Sequence, residues 1–100
     1  MTIKIAITKN NEHIISDVKE LSSEDNFKGY LLKNPQIVSF SKNENLLLEE
    51  VEDTVKIILS PWIPLSKDSE IFVIPDYIVA IVEPLDMVKE IYLEKTKEND

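Results

Sequence analysis

The residues that could carry acid–base or metal chemistry are few in this chain. His13 is the single histidine, and there is no cysteine, which excludes a thiolate metal site, a thiol nucleophile and a disulfide. A single histidine also rules out most histidine-based zinc and triad chemistry within one chain. The single glycine, Gly29, excludes a glycine-rich nucleotide loop. We therefore expect no enzymatic activity, no metal and no cofactor.

Carboxylates are the one abundant kind of side chain that could take part in acid–base or metal chemistry. The cluster Glu49, Glu50, Glu52 and Asp53 could offer oxygen ligands to calcium or magnesium. It lacks the alternating Asp/Asn positions and the glycine of a calcium-binding loop, so we interpret it as a solvated acidic loop. The acids of the segment 17–25 lie in polar, turn-like sequence, which favours solvated surface over a catalytic pair in a pocket.

Composition indicates one globular domain, residues 1–100, with an acidic surface. Apolar residues make up 43% of the chain, and 19 acidic against 11 basic residues give a net charge of −8. Such a surface repels phosphate and disfavours non-specific nucleic-acid binding. The sequence has no signal peptide and no apolar run near the ~20 residues of a membrane span, so we expect a cytoplasmic protein.

Alternating apolar residues predict strands in the first half of the chain. Ile3, Ile5 and Ile7 have the period of a half-buried strand, Asn10-Asn11 suits a hairpin turn, and residues 13–20 run back as a second strand. Residues 29–40 form either one strand bent at Asn34-Pro35 or two short strands, with the proline at an edge or a bulge. Gly29 marks either a bulge or a simple turn.

The second half predicts further strands around a long acidic loop. Residues 41–54 form a long acidic loop or a hairpin extension, whose leucines 46–48 fold back onto the domain or meet a partner. Residues 55–59 form a strand, followed after a polar turn by a second strand or a broken pair of strands at 71–74 and 77–82. Five strands result. Residues 85–97, with apolar residues at helical spacing behind Pro84, predict a C-terminal helix.

Trp62 lies between Pro61 and Pro64, which makes a regular central strand improbable there. A tryptophan flanked by prolines is typical of some peptide-recognition surfaces. A lone tryptophan in a small domain more often anchors a core or an interface. We favour the core or a subunit interface.

The order of these motifs resembles the Sm-like (LSm-type) family, in its short phage and marine environmental forms. The resemblance rests on IKIAITKNNEHIISDV, on GYLLKNPQIVSF, and on VKIILSPWIPLSKDSEIFVIPDYIVAIVEP before a helix. It implies a small, strongly bent five-stranded barrel of the SH3 type over residues 1–84 and a helix over 85–97. It also implies a phage protein located in the host cytoplasm.

The resemblance further implies a closed homo-oligomeric ring, in which the strand near residues 57–63 pairs with the last strand of the next subunit. Such pairing would remove the open edge that an apolar last strand leaves. The interface residues expected from this pairing are Ile57, Leu59, Trp62, Ile63, Ile78, Ala80 and Val82.

Members of that family bind single-stranded RNA at the ring pore. The matching positions here are Asn26, Phe27 and Lys28 in one loop and Tyr77 in another, with Phe27 and Tyr77 placed to stack bases. Where the family has an Arg-Gly pair, this chain has Ile74-Pro75-Asp76. The hypothesis is a non-enzymatic ring-forming protein that binds single-stranded RNA. The alternative is an oligomeric protein-interaction or scaffold module without nucleic acid, using Trp62, leucines 46–48 or the C-terminal helix.

Overall fold

The computed structural model describes residues 2–41 and 56–97. Within them the chain forms six strands, one short 3₁₀ helix and one α-helix. In chain order these elements are β1 (Ile3–Thr8), β2 (His13–Ser23), β3 (Asn26–Ser41), β4 (Lys56–Pro61), β5 (Glu70–Val73), the 3₁₀ helix (Pro75–Tyr77), β6 (Ile78–Val82) and α1 (Asp86–Lys97). The predicted acidic loop, with leucines 46–48 and the carboxylates 49–53, lies outside the described residues, as does Val55.

All strand pairs are antiparallel, and the sheet is built around the long strand β3. The path through the sheet is β4-β3-β2-β1-β6. β2 covers one side of β3, while β4 pairs with its residues 36–41 and β5 with its residues 30–33 on the opposite side. β4 and β5 therefore follow one another along the same side of β3.

Two bulges bend β2 and β3. At the first, Asn34 (φ +52°) and Pro35 of β3 lie opposite the single residue Ser16 of β2. The Ser16 hydroxyl donates to the Lys33 carbonyl oxygen at 2.8 Å. The predicted bend at Asn34-Pro35 is confirmed, with the proline at a bulge where no ladder donor is needed. At the second, the register shifts between Leu21 and Ser22, and Gly29 takes a φ of +151°. The bulge interpretation of Gly29 is therefore the correct one.

The prediction of a five-stranded barrel is only partly right. The protein is mainly β with a C-terminal helix, but the described residues form six strands, and their sheet does not close into a barrel. The predicted broken pair of strands, residues 71–74 and 77–82, forms two strands that do not share a partner. The 3₁₀ helix Pro75–Tyr77 turns the chain between them, so that β5 pairs with β3 and β6 pairs with β1. The two ends of the path, β4 and β6, do not pair with each other.

Both faces of the sheet contribute to the core. Ile15 packs with Leu59 and helix residues on one face, and its neighbour Ile14 packs with Leu32 on the other. The exposed fraction of Ile14 and of Ile15 is 0%. This explains why Ile15 breaks the simple alternation along β2, since a strand covered on both faces needs apolar residues in succession.

The C-terminal helix was predicted correctly and is anchored by Tyr92. This side chain is 2% exposed, and its hydroxyl donates toward the carbonyl oxygens of Lys33 and Asn34, at 2.9 and 3.1 Å. Burial raises the pKa of the Tyr92 phenol to about 12. Lys95 adds a second tie by donating to the Leu59 carbonyl oxygen at 2.6 Å. These hydrogen bonds hold the helix to the bend of β3 and to β4.

Candidate functional site

The two open edges of the sheet are the first candidate site. Within the described residues, β6 pairs only with β1, and β4 and β5 pair only with β3, so each has one unpaired side. Large apolar side chains are exposed along them, with exposed fractions of 61% for Val79 on β6 and 48% for Ile58 on β4. Unpaired strands of this kind offer hydrogen-bond donors and acceptors to another strand.

The predicted interface residues all lie on or beside these edges. Ile63 and Val82 are exposed, and Leu59 is buried in the core of its own chain. The remaining four are half-buried: Ile57, Trp62, Ile78 and Ala80. At Leu59 the side chain is buried, and the backbone carbonyl oxygen already accepts a hydrogen bond from Lys95 Nζ. Two exposed residues at these edges that sequence reasoning did not select are Ile58 and Val79.

A second candidate is a cluster around the Glu12 carboxylate, which joins three distant segments. Glu12 Oε1 accepts hydrogen bonds from the hydroxyls of Thr8 and Tyr77, at 3.0 and 3.1 Å, and Oε2 accepts one from Trp62 Nε1 at 3.3 Å. The Trp62 and Tyr77 rings stack, with 6.5 Å between centroids. The Asn10 side-chain amide donates to the Tyr77 hydroxyl at 3.0 Å.

This arrangement is suited to holding structure and not to proton transfer. A general base needs a free oxygen near the proton it removes, and both oxygens of Glu12 already accept donors from its own chain. The cluster ties the β1–β2 turn to Trp62, just after β4, and to Tyr77, just before β6. It therefore links the segments that adjoin the two open edges.

Sequence reasoning missed Glu12 and Thr8. Trp62 was expected in the core or at an interface, and it packs half-buried against the cluster of Ile14 and Leu32. Nothing in the spacing of Glu12 singles it out, because its partners lie 50 and 65 residues further along the chain.

The structure places the predicted RNA-binding residues in two groups. Asn26, Phe27 and Lys28 begin β3, and all three are exposed. The Phe27 ring meets Tyr30 edge-on, with 5.0 Å between centroids. Tyr77 instead belongs to the Glu12 cluster at the β1–β2 turn, and its hydroxyl is already engaged there. Phe27 and Tyr77 therefore have separate sets of neighbours.

A cleft of about 350 Å³ opens beside β3, between the end of β4 and the start of β5. Its walls include Pro35, Pro61, Trp62 and Pro64.

No group of three or more His, Asp or Glu side chains suited to a metal occurs in the described ranges. No helix among these residues has the length and apolar character to cross a membrane.

These features define a mainly β protein whose bent antiparallel sheet carries a C-terminal helix and ends in two open edges. The chain belongs to the Family of unknown function DUF6561, whose model matches residues 1–97. No curated protein matches the chain.

Proposed function

We propose that the protein is a non-enzymatic, ring-forming Sm-like scaffold, in which the β6 edge of one subunit pairs with the β4 edge of the next. The observation that supports this most is the presence of two different open edges on one sheet, each with exposed apolar side chains. A contact between two different edges is heterologous, and repetition of such a contact gives a closed ring when the rotation closes.

The Glu12 cluster supports closure of such a ring. Ring closure requires a fixed angle between the two edges, and the cluster links the residues next to both, Trp62 after β4 and Tyr77 before β6. A flexible connection would allow open chains of variable curvature. A pairing across these edges would also cover Ile58 and Val82, which are 48% and 44% exposed in the single chain.

The test is the molar mass of the purified protein by light scattering, for the natural sequence and for two edge variants. Ile58→Lys on β4 and Val82→Lys on β6 each add a charge at one edge, which opposes strand pairing. We expect the natural protein to have a mass that is a fixed multiple of 11.5 kDa, five-fold or more, and each variant to have a much lower mass. Met87→Lys, at a 51% exposed position on α1, is the matched control and should keep the mass.

Mixing the two edge variants makes the test specific for a head-to-tail contact. An Ile58→Lys subunit keeps its β6 edge and a Val82→Lys subunit keeps its β4 edge, so one intact contact can form between them. The mixture should then contain a heterodimer and no larger ring. A ring of unchanged mass in either single variant contradicts the pairing of these edges.

Single-stranded RNA is the second candidate ligand, and the observation that favours it is the exposed Phe27 beside Lys28. The phenyl ring is 43% exposed, which leaves a face for a base to stack on, and the lysine next to it is exposed and available to phosphate. The net charge of −8 opposes this binding and predicts low affinity. Because Lys28 is the one cation of this proposed site, the affinity should fall only gradually on adding salt.

Titration of a labelled oligouridine at low salt tests the RNA proposal. Phe27→Ala should weaken binding by about 1–3 kcal/mol, the usual contribution of stacking one base on an aromatic ring. Phe40→Ala, at another exposed phenylalanine, is the control and should have no effect. A flat titration with the natural protein at low salt excludes RNA and leaves the scaffold without nucleic acid.

A further inference from the structure

The hydrogen bonds between β3 and β4 show which backbone groups of β4 point away from the sheet. The amide of Trp62, next after β4, donates to the Pro35 carbonyl oxygen of β3 at 3.1 Å. In an antiparallel pair, residues that bond to the neighbouring strand alternate with residues whose backbone groups point away from it. Counted back along the register from Trp62, residues 60 and 58 point toward β3, and the residues that point away are Ile57, Leu59 and Pro61.

Two of these three outward residues offer little to another strand. Pro61 has no amide hydrogen to donate. The Leu59 carbonyl oxygen accepts a hydrogen bond from Lys95 Nζ of α1 at 2.6 Å. Because this oxygen points away from β3, the lysine ammonium lies on the outward side of β4. A partner strand would place its own amide nitrogen about 2.9 Å from the same oxygen, so the ammonium occupies the place of that donor.

We propose that Lys95 caps the β4 edge, and that release of the Leu59 carbonyl oxygen by Lys95 is a step in strand pairing at this edge. This inference rests on the proposed function, because it concerns the regulation of the edge that a second copy of the chain would pair with. Lysines on open edges are a common means by which proteins prevent unwanted strand pairing.

The cap can open without movement of the helix. Tyr92, three residues before Lys95, anchors α1 to β3 through the carbonyl oxygens of Lys33 and Asn34. Rotation of the Lys95 side chain alone is therefore enough to free the edge. The cap is thus a reversible brake, which a strand displaces only if its other contacts offset the loss of one hydrogen bond.

Lys97 provides a matched comparison for Lys95. Both lysines lie in the last turn of α1, where a positive charge favours the helix, and both are exposed. Of the two, Lys95 is the one that donates to β4 within the described residues. Since substitution of either lysine removes the same charge from the same turn, a difference between them reports the hydrogen bond to Leu59.

The mixture of the two edge variants measures the brake at a single contact. The Val82→Lys subunit offers its β4 edge to the β6 edge of the Ile58→Lys subunit, and sedimentation gives the Kd of this heterodimer. Lys95→Met in the Val82→Lys subunit removes the donor and should lower the Kd about twofold to tenfold, the usual effect of one hydrogen bond. The same substitution in the Ile58→Lys subunit, whose β4 edge takes no part, should leave the Kd unchanged.

Further substitutions in the Val82→Lys subunit identify the cause of a lower Kd. Lys95→Ala should act like Lys95→Met, which excludes an apolar contact made by the new methionine. Lys95→Arg keeps a donor and should retain the natural Kd. Lys97→Met should also leave the Kd unchanged, because it removes the charge and not the cap.

The cap itself is measured without assembly, in a chain that carries Ile58→Lys and Val82→Lys together. A hydrogen bond to a carbonyl oxygen changes the magnetic shielding of the carbonyl carbon. The NMR resonance of the Leu59 carbonyl carbon should therefore move with Lys95→Met and stay in place with Lys97→Met. A resonance that Lys95→Met does not move would overturn the inference.

The outcomes separate this inference from the ring proposal. A heterodimer whose Kd is unchanged by Lys95→Met in the Val82→Lys subunit, or lowered equally by Lys97→Met, would overturn the inference and leave the pairing of the edges standing. Absence of a heterodimer both with and without Lys95→Met would overturn the ring proposal and the brake with it, even where the carbonyl resonance shows the hydrogen bond.

Discussion

Substitution of Gly29 by alanine should be among the most destabilising single changes in the protein. Gly29 lies at the second bulge of β3 with φ +151°, a backbone conformation that disfavours any side chain. A methyl group there would lie 2.6 Å from the Val73 carbonyl oxygen and 2.7 Å from Phe72 Cζ. Both atoms belong to β5, so the clash falls on the strand pairing that holds β5 to β3.

The expected loss can be worked from these two contributions. A positive φ costs a non-glycine residue roughly 1–2 kcal/mol, and overpacking costs about 1–3 kcal/mol. Together they give a loss of about 3 kcal/mol in the free energy of unfolding. For a domain of this length that corresponds to a fall of roughly 10–20 °C in melting temperature.

Urea unfolding at one fixed protein concentration measures the effect, because the proposed assembly would make stability depend on concentration. The Phe72→Ala background separates the two contacts. Removing the ring relieves the contact with Cζ but leaves the backbone conformation and the Val73 carbonyl oxygen, so Gly29→Ala should still cost about 2 kcal/mol there. Full rescue by Phe72→Ala, or a loss below about 0.5 kcal/mol in the natural background, would refute this reasoning.

Three further predictions concern stability. Tyr77→Phe removes a hydrogen-bond donor to Glu12 and should lower the free energy of unfolding in urea by about 1–2 kcal/mol. Adding Glu12→Gln should cause little further loss, because both residues belong to one cluster, and additive losses would contradict this. The pKa of Tyr92 rises from 10.0 in the unfolded chain to about 12 in the folded protein. The neutral phenol therefore contributes roughly 2–3 kcal/mol of stability below pH 10, and this contribution is lost as the pH rises to 12. Tyr92→Phe should flatten the loss of stability between pH 10 and 12, and an unchanged slope would contradict this prediction. Gln36 is 5% exposed, and its Oε1 has no hydrogen-bond partner within residues 2–41 and 56–97, so Gln36→Met should be neutral or stabilise by up to about 1 kcal/mol in thermal unfolding. A loss above about 1 kcal/mol would indicate a hidden partner.

The parts of the fold that sequence predicted are those fixed by local chemistry. The Asn10-Asn11 turn is confirmed, with Asn11 at φ +63°, because asparagine tolerates positive φ. The bend at Asn34-Pro35 and the helix behind Pro84 are likewise consequences of nearby residues.

The parts that sequence did not predict depend on long-range pairing. Periodicity identifies a strand but not its neighbour, so nothing local shows that residues 71–74 pair with β3 while residues 78–82 pair with β1. The strand count and the open sheet follow from that division. The Glu12 cluster was missed for the same reason, since its hydrogen bonds to Trp62 and Tyr77 cross most of the chain.

Amide hydrogen exchange at the two open edges tests the proposed assembly most directly. On an edge strand, alternate amides point away from the sheet and exchange freely unless another strand covers them. The account predicts that the outward amides of β4 and β6 are protected in the natural protein and lose protection in Val82→Lys, while the inward amides stay protected in both. Outward amides that exchange as fast in the natural protein as in the variant would contradict strand pairing between subunits.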